Sequence, residues 1–255
     1  GTLNAGEESK SVQYNERYGA LPTPTRTSYR FDGWFTERDG GEKVEETTVV
    51  SIRGNHTLYA HWTFVHEHCI CGGEILTGDH TAHTSATFSA WNGTSSITYT
   101  NKTAYVYLTQ SVTFSSNLVV DGATLYLCLN GHSFASNGSN KIQVQNGGRL
   151  VICDCAGGGS IKGATKGWGG SCIYLYKSTL NLFGGTITGG KVSGNGGGGA
   201  IALDDSQCVL NIYGGEISGN NGKNSGGAIF LNNKDKKGGT VNMYGGTIAN
   251  NTATN

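Results

Sequence analysis

The densest chemistry in the sequence lies at His66-Glu67-His68-Cys69-Ile70-Cys71-Gly72-Gly73, followed by Asp79-His80-Thr81-Ala82-His83. Two thiols and four imidazoles fall within 18 residues of a chain that has 7 Cys and 7 His in all. Zinc takes four such ligands tetrahedrally, thiolate at ~2.3 Å and imidazole at ~2.0 Å. One structural zinc on Cys69, Cys71, His80 and His83 would organise a segment too short to build a core. The Cys-x-Cys spacing equally fits cysteines that are oxidised or paired with another domain, and it fits bystanders. Glu67 is the close carboxylate that could act as a base, and the segment reads as a linker, so a catalytic zinc is disfavoured.

Other chemistry is thinly supplied. An enzyme built on this chain would need clustered carboxylates, as acid and base or as calcium ligands. Beyond residue 103 the acids are Asp121, Asp154, Asp204, Asp205, Glu216 and Asp235. Asp204 and Asp205 are adjacent on a strand end, so their side chains diverge. No Ser-His-Asp order is readable. Gly196-Gly197-Gly198-Gly199 lacks the Lys-Ser/Thr and the helix that a phosphate-cradling loop requires.

The elements that must position these residues are announced by glycine, 42 of 255 residues, near 16% against ~7% in ordinary globular proteins. No three-residue glycine period is present, which excludes collagen, and interleaved apolar residues argue against disorder. Charge is balanced at 18 against 18, which disfavours a generally basic nucleic-acid binder, and no apolar run approaches the ~18 residues of a membrane span. Residues 1–100 carry 7 basic and 12 acidic residues, whereas 101–255 carry 11 and 6 with 31 of the glycines. Two domains of different kinds are expected. The chain opens at Gly1 rather than Met and stops just after Gly245-Gly246-Thr247-Ile248-Ala249-Asn250-Asn251. On that basis it is expected to be a segment of a longer protein that continues past residue 255.

The later domain repeats itself. Leu180-Asn181-Leu182-Phe183-Gly184-Gly185-Thr186-Ile187 recurs at Leu210 to Ile217 and again at Val241 to Ile248, in steps of 30 and 31 residues. Leu150 and Leu125 begin weaker upstream copies, and Ile173, Ile201 and Ile229 start a second series at 28-residue steps. Apolar and polar residues alternate within each unit, which is strand periodicity. No unit can bury its apolar face alone, so coils must stack. The expected fold is all-β: a right-handed parallel β-helix over 104–255, with coils of about 25–31 residues. Leu180, Leu210 and Val241 form one inward column, Leu182, Ile212 and Met243 a second, and Ile187, Ile217 and Ile248 a third. The Gly-Gly pairs supply corners, and Asn181, Asn211 and Asn242 form an outward amide ladder, as could the turn residues Asn195 and Asn220.

Stacking gives two further expectations. Cys128 and Cys153 hold the same position in consecutive coils, ~4.8 Å apart, inside the Cα window of a disulfide; the alternative is a pair of small buried residues. Cys155, Cys172 and Cys208 show no such pairing. Phe183, Tyr213 and Tyr244 recur in register on the outside, with Tyr174 and Phe230 on the neighbouring strand, and such a row could hold sugar rings or a partner protein. The alternative is that a loop covers them.

The first domain is carried by Tyr18-Gly19-Ala20-Leu21-Pro22, Tyr29-Arg30-Phe31-Asp32-Gly33-Trp34-Phe35, Gly40-Gly41-Glu42-Lys43-Val44 and His56-Thr57-Leu58-Tyr59-Ala60-His61-Trp62. In this order the blocks resemble the internalin-type B-repeat, or Listeria-Bacteroides repeat, a small β-grasp-like module of bacterial surface proteins. The family opens with a further strand ahead of a Gly-Gly, which implies that the first strand is missing here. The glycine-rich units resemble β-helical repeats of large surface proteins of gut anaerobes; pectate-lyase-like enzymes share that architecture, so fold alone does not decide chemistry.

The organisation expected is therefore a B-repeat module at 1–63, a His/Cys-rich connecting segment at 64–103 and the β-helix at 104–255. The resemblance implies an extracellular place on a bacterial cell surface. The function expected is adhesion, or contact with a glycan or host surface protein, without catalysis, nucleic acid or membrane insertion. A polysaccharide lyase or glycoside hydrolase and a passive stalk are the competing readings.

Overall fold

The computed structural model describes residues 1–3, 6–26, 29–69, 85–163, 172–192, 197–223, 226–232 and 238–254. The chain forms two compact units, Gly1–His68 and Cys69–Asn255, and no helix occurs among the described residues.

In the first unit Tyr29–Phe35 is the central strand of an antiparallel sheet, flanked by Lys43–Val44 and Tyr59–Phe64. The register shifts between Phe31 and Gly33, where Gly33 adopts φ 141°, a conformation open to glycine. The fully buried core is Tyr18, Val44 and Val50, with Val12, Leu21, Trp34 and Leu58 packed on it. Of the aromatics on these strands, Trp34 packs on that core. Phe31 contacts Trp34 and Trp62 at centroid distances of 5.5 and 5.4 Å, and Arg26 sits 3.7 Å from the Tyr29 ring centre.

The second unit is a parallel β-solenoid of about four turns from residue 118 onward. Its first wall stacks Val112–Phe114, Ser133–Ser136, Ser160–Lys162, Thr186–Thr188, Glu216–Ser218 and Thr247–Ala249. The second stacks Leu118–Asp121, Ile142–Gln145, Ile173–Tyr176, Ile201–Leu203 and Ile229–Leu231. The third runs through Thr124–Cys128, Arg149–Cys153, Thr179–Leu182, Val209–Ile212 and Thr240–Met243, and reaches back over Thr103–Leu108 to Ser85–Trp91. Ser85–Trp91 lies within the stretch read from sequence as connecting segment, and it pairs in parallel with Thr103–Leu108.

The register reproduces all three expected columns. Leu150, Leu180, Leu210 and Val241 are successive partners, as are Ile152, Leu182, Ile212 and Met243, and Ile161, Ile187, Ile217 and Ile248. Leu150, Leu180, Leu210, Ile152, Leu182 and Ile212 are fully buried, each contributing ~1.5 to 3 kcal/mol against chain entropy. In the final coil Met243 and Ile248 are exposed, at 50% and 39%.

The Gly-Gly corners divide two jobs between their members. The second glycine, as at Gly215 with φ 79°, supplies the left-handed turn. The first permits a close approach: a Cβ on Gly214 would lie 2.5 Å from the Phe183 carbonyl oxygen of the preceding coil.

The amide ladder is present. Asn211 Nδ2 donates to Asn181 Oδ1 and Asn242 Nδ2 to Asn211 Oδ1, both at 2.9 Å, although Asn181 is itself buried. In the turns, Asn220 pairs with Asn251: its Nδ2 donates to Asn251 Oδ1 at 2.9 Å and to the Ile187 and Ser218 carbonyls at 3.0 Å. Asn195 lies outside the described residues.

Candidate binding face and thiol cluster

Alternation along the third wall sends every second side chain outward. One outward row runs Tyr107, Cys128, Cys153 by strand register. Phe183 N then bonds Ile152 O, Tyr213 N bonds Leu182 O and Tyr244 N bonds Ile212 O, so these three residues continue the row. The thiols and the aromatics treated separately in the sequence therefore share a single line along the solenoid.

Phe183 and Tyr213 stack with centroids 4.6 Å apart and planes 11° from parallel; Tyr213 and Tyr244 follow at 5.0 Å and 9°. Phe183 and Tyr213 are half-buried and Tyr244 is 55% exposed. Burial, helped by the neighbouring Tyr244, raises the Tyr213 phenol above its ordinary pKa, and the Arg149 guanidinium opposes that rise. Arg149 Nε is buried without a hydrogen-bond partner.

Tyr174 and Phe230 also share a row, but Ala202 stands between them, so they do not make a continuous aromatic strip. Tyr174 Oη donates to Asp204 Oδ2, and Asn232 Nδ2 donates to Asp204 Oδ1. Burial first, and then this bond to Asp204, hold the Tyr174 phenol well above its usual pKa. A second aromatic group lies upstream: Tyr105 and Tyr126 stack at 4.8 Å with planes 24° apart, and Phe88 meets Tyr105 tilted, at 5.6 Å and 57°. Its signal was the outward phase of Tyr105 and Tyr126 in the upstream, weaker copies of the repeat.

Three further carboxylates of the solenoid serve as clamps, as Asp204 does. Asp121 accepts from Gln145 Nε2 and Asn146 Nδ2, both at 2.9 Å, and these bonds hold its carboxyl below the usual range. Asp154 accepts from the Gly131 and Gly159 amides, each at 2.7 Å. Asp205 accepts from the Gln207 amide at 2.8 Å. Asp235 lies outside the described residues.

Cys128 and Cys153 are register partners in consecutive coils, as the repeat predicts. A third thiol joins them: Cys128 Sγ lies 3.5 Å from Cys155 Sγ. Cys128 is buried, Cys153 half-buried and Cys155 exposed. The bond with Cys128, together with burial, pushes the Cys153 thiol up; burial and the same sulfur push Cys155 up to about 11.

Metal-ligating atoms come close in each unit. In the first, His66 and His68 have ring centroids 4.6 Å apart; in the second, Cys128 and Cys155 form a sulfur pair. Within each of these pairs the ligand atoms lie within 4.8 Å of one another. Cys71, His80 and His83, and the side chain of Cys69, lie outside the described residues. A cavity of about 570 Å³ opens among hydroxyl side chains, including Thr87, Ser89, Ser95, Thr98 and Thr103 beside Trp91.

Residues 2–61 match the Listeria-Bacteroides repeat domain, the family that the sequence blocks resemble. No curated protein and no solved structure matches the chain. Repeat domains of this family occur in surface-associated bacterial proteins, and the match together with the solenoid points to a bacterial surface-type protein. Among the described residues no helix is long and apolar enough to cross a membrane.

Proposed function

We propose that this chain is an adhesive part of a secreted bacterial cell-surface protein that holds a glycan or a host surface protein on its solenoid without turning it over. The observation that carries the proposal is the stacked, partly exposed row Phe183, Tyr213 and Tyr244. Mutual stacking occupies ring faces inside the row, so a ligand meets the phenol edges and hydroxyls and the exposed Tyr244. The amides of Asn211 and Asn242 lie two residues before Tyr213 and Tyr244, on the strands that these tyrosines follow, and a saccharide offers the matching hydroxyl donors and acceptors. Tyr174 and Phe230 contribute a broken second row. The carboxylates described above are tied into structural hydrogen bonds, which supports binding over acid–base chemistry. One zinc on Cys69, Cys71, His80 and His83 belongs to the same proposal as a structural element, supported by the density of sulfur and imidazole in that segment.

Immobilised mucin and host and plant glycans should retain the chain weakly, at ~µM to mM per site, because many copies on a cell supply avidity. Tyr213→Ala with Tyr244→Ala should abolish retention while leaving the far-UV spectrum intact. Retention unchanged in the double variant would refute this face. New reducing ends or unsaturated products from pectin, alginate or glycosaminoglycan, lost in Asp204→Asn or Asp205→Asn, would replace binding by catalysis.

A further inference from the structure

The sulfur cluster on the third wall is not used by the binding face, and its geometry suits a cation. Two thiolates on one tetrahedral zinc, each at ~2.3 Å, stand ~3.8 Å apart. Cys128 Sγ and Cys155 Sγ stand 3.5 Å apart, whereas a disulfide needs ~2.05 Å. Cys153, the register partner of Cys128 in the next coil, places a third sulfur on the same outward row.

The backbone holds this arrangement in place. Cys128 closes its strand and Asn130 and Gly131 turn the chain, with φ 50° and 77°. In the next coil Cys155 follows Asp154, whose two carboxylate oxygens accept from Gly131 N and Gly159 N at 2.7 Å. Asp154 thus ties the turn that follows Cys128 to the turn that carries Cys155. With both oxygens engaged it is a positioning group, and the donor set is sulfur. Cys155 Sγ also points to Asn130 Oδ1 at 3.6 Å, and the Leu129 amide bonds the Cys153 carbonyl at 2.8 Å. Soft thiolate donors select zinc and its thiophilic relatives over calcium or magnesium.

We propose that Cys128, Cys153 and Cys155 form a thiolate site for a thiophilic divalent cation of the zinc class, built across two coils of the solenoid and distinct from the zinc proposed for the connecting segment. Each thiol releases its proton to solvent as the metal binds, and no electron is transferred. A water or one further donor completes four-coordination.

The test uses the full chain, reduced and stripped of metal, titrated with cobalt(II) and then with zinc. Sulfur-to-cobalt charge-transfer absorption should appear and be displaced by zinc. Cys155→Ser alters an exposed side chain and should preserve the fold; it should weaken zinc at least ~10-fold and reduce the charge-transfer band. Bound zinc should also protect Cys155 from alkylation. A spectrum unchanged in Cys155→Ser but lost in Cys71→Ser would place the thiolates in the connecting segment and overturn this inference while sparing the other. A disulfide containing Cys128 in the freshly isolated protein would overturn it too.

Discussion

Removing the Asn220 amide would leave the Ile187 and Ser218 carbonyls and the Gly190 amide short of a partner, all held by one side chain that is 1% exposed. Asn220→Ala should therefore cost at least ~1 to 3 kcal/mol, read from the urea midpoint, because buried polar groups left unmatched lose their full desolvation free energy. Leu210→Ala should cost ~2 to 5 kcal/mol in the same assay, since Leu210 is fully buried between Leu180 and Val241 and its cavity can collapse little. Tyr174 supplies a pH test. Burial and its bond to Asp204 favour the protonated phenol in the folded chain, so the folded pKa exceeds the unfolded value of ~10. Its stabilisation is complete below that value and is lost as pH rises toward the folded pKa. Tyr174→Phe should show a shallower fall in urea midpoint than the parent as pH rises above about 10; parallel falls would remove this role.

At the scale of elements, the corners set how closely coils approach. Gly214→Ala would drive a Cβ to 2.5 Å from the Phe183 carbonyl oxygen, whereas nothing lies within 4 Å of a Cβ on Gly189. Gly189 does, however, sit at φ 69°. The expected order is a larger loss for Gly214→Ala, from clash with backbone, and a smaller one of ~1 kcal/mol for Gly189→Asn. Asparagine tolerates the left-handed region and already occupies it at Asn250, φ 53°. Thermal melts of the two variants check the ranking. The aromatic row obeys the same stacking constraint: its spacing of 4.6 and 5.0 Å follows the ~4.8 Å separation of parallel strands, so its continuity depends on every coil contributing a ring.

For the whole molecule, a solenoid gains stability from neighbouring coils, so protection should fall toward a coil with one neighbour. Val241 and Met243 pair on one side with Leu210 and Ile212, and Met243, Tyr244 and Ile248 are exposed. In a chain of residues 1–255, amide exchange should be faster in Thr240–Met243 than in Thr179–Leu182, whose neighbours lie on both sides. Equal protection would mean that the coils open as one unit. The N-terminal unit rests on a far smaller core, Tyr18, Val44 and Val50 with four partly buried companions, and its amides should exchange accordingly.

The repeat made the solenoid legible because equivalent positions of stacked coils are forced into register: the 30-residue recurrence of Leu180 and Leu210 fixes both which residues pair and which face they bury. The Asn and aromatic ladders were readable for the same reason, and Ala202 between Tyr174 and Phe230 was already visible in the 28-residue series. Alternation says only that a side chain leaves the sheet, so the burial of Asn181 and the half-burial of Phe183 and Tyr213 were decided by packing. Cys155 was invisible as a partner of Cys128 because it lies in a turn, where no periodicity sets direction. Two hydrogen bonds from Gly131 and Gly159 to Asp154, groups 23 and 5 residues distant in sequence, bring its sulfur to Cys128. The first unit shows the same limit: its aromatic strands were readable, but Trp34 packs on a core whose Tyr18 and Val50 come from segments outside the strands, where no alternation marks a side chain as buried.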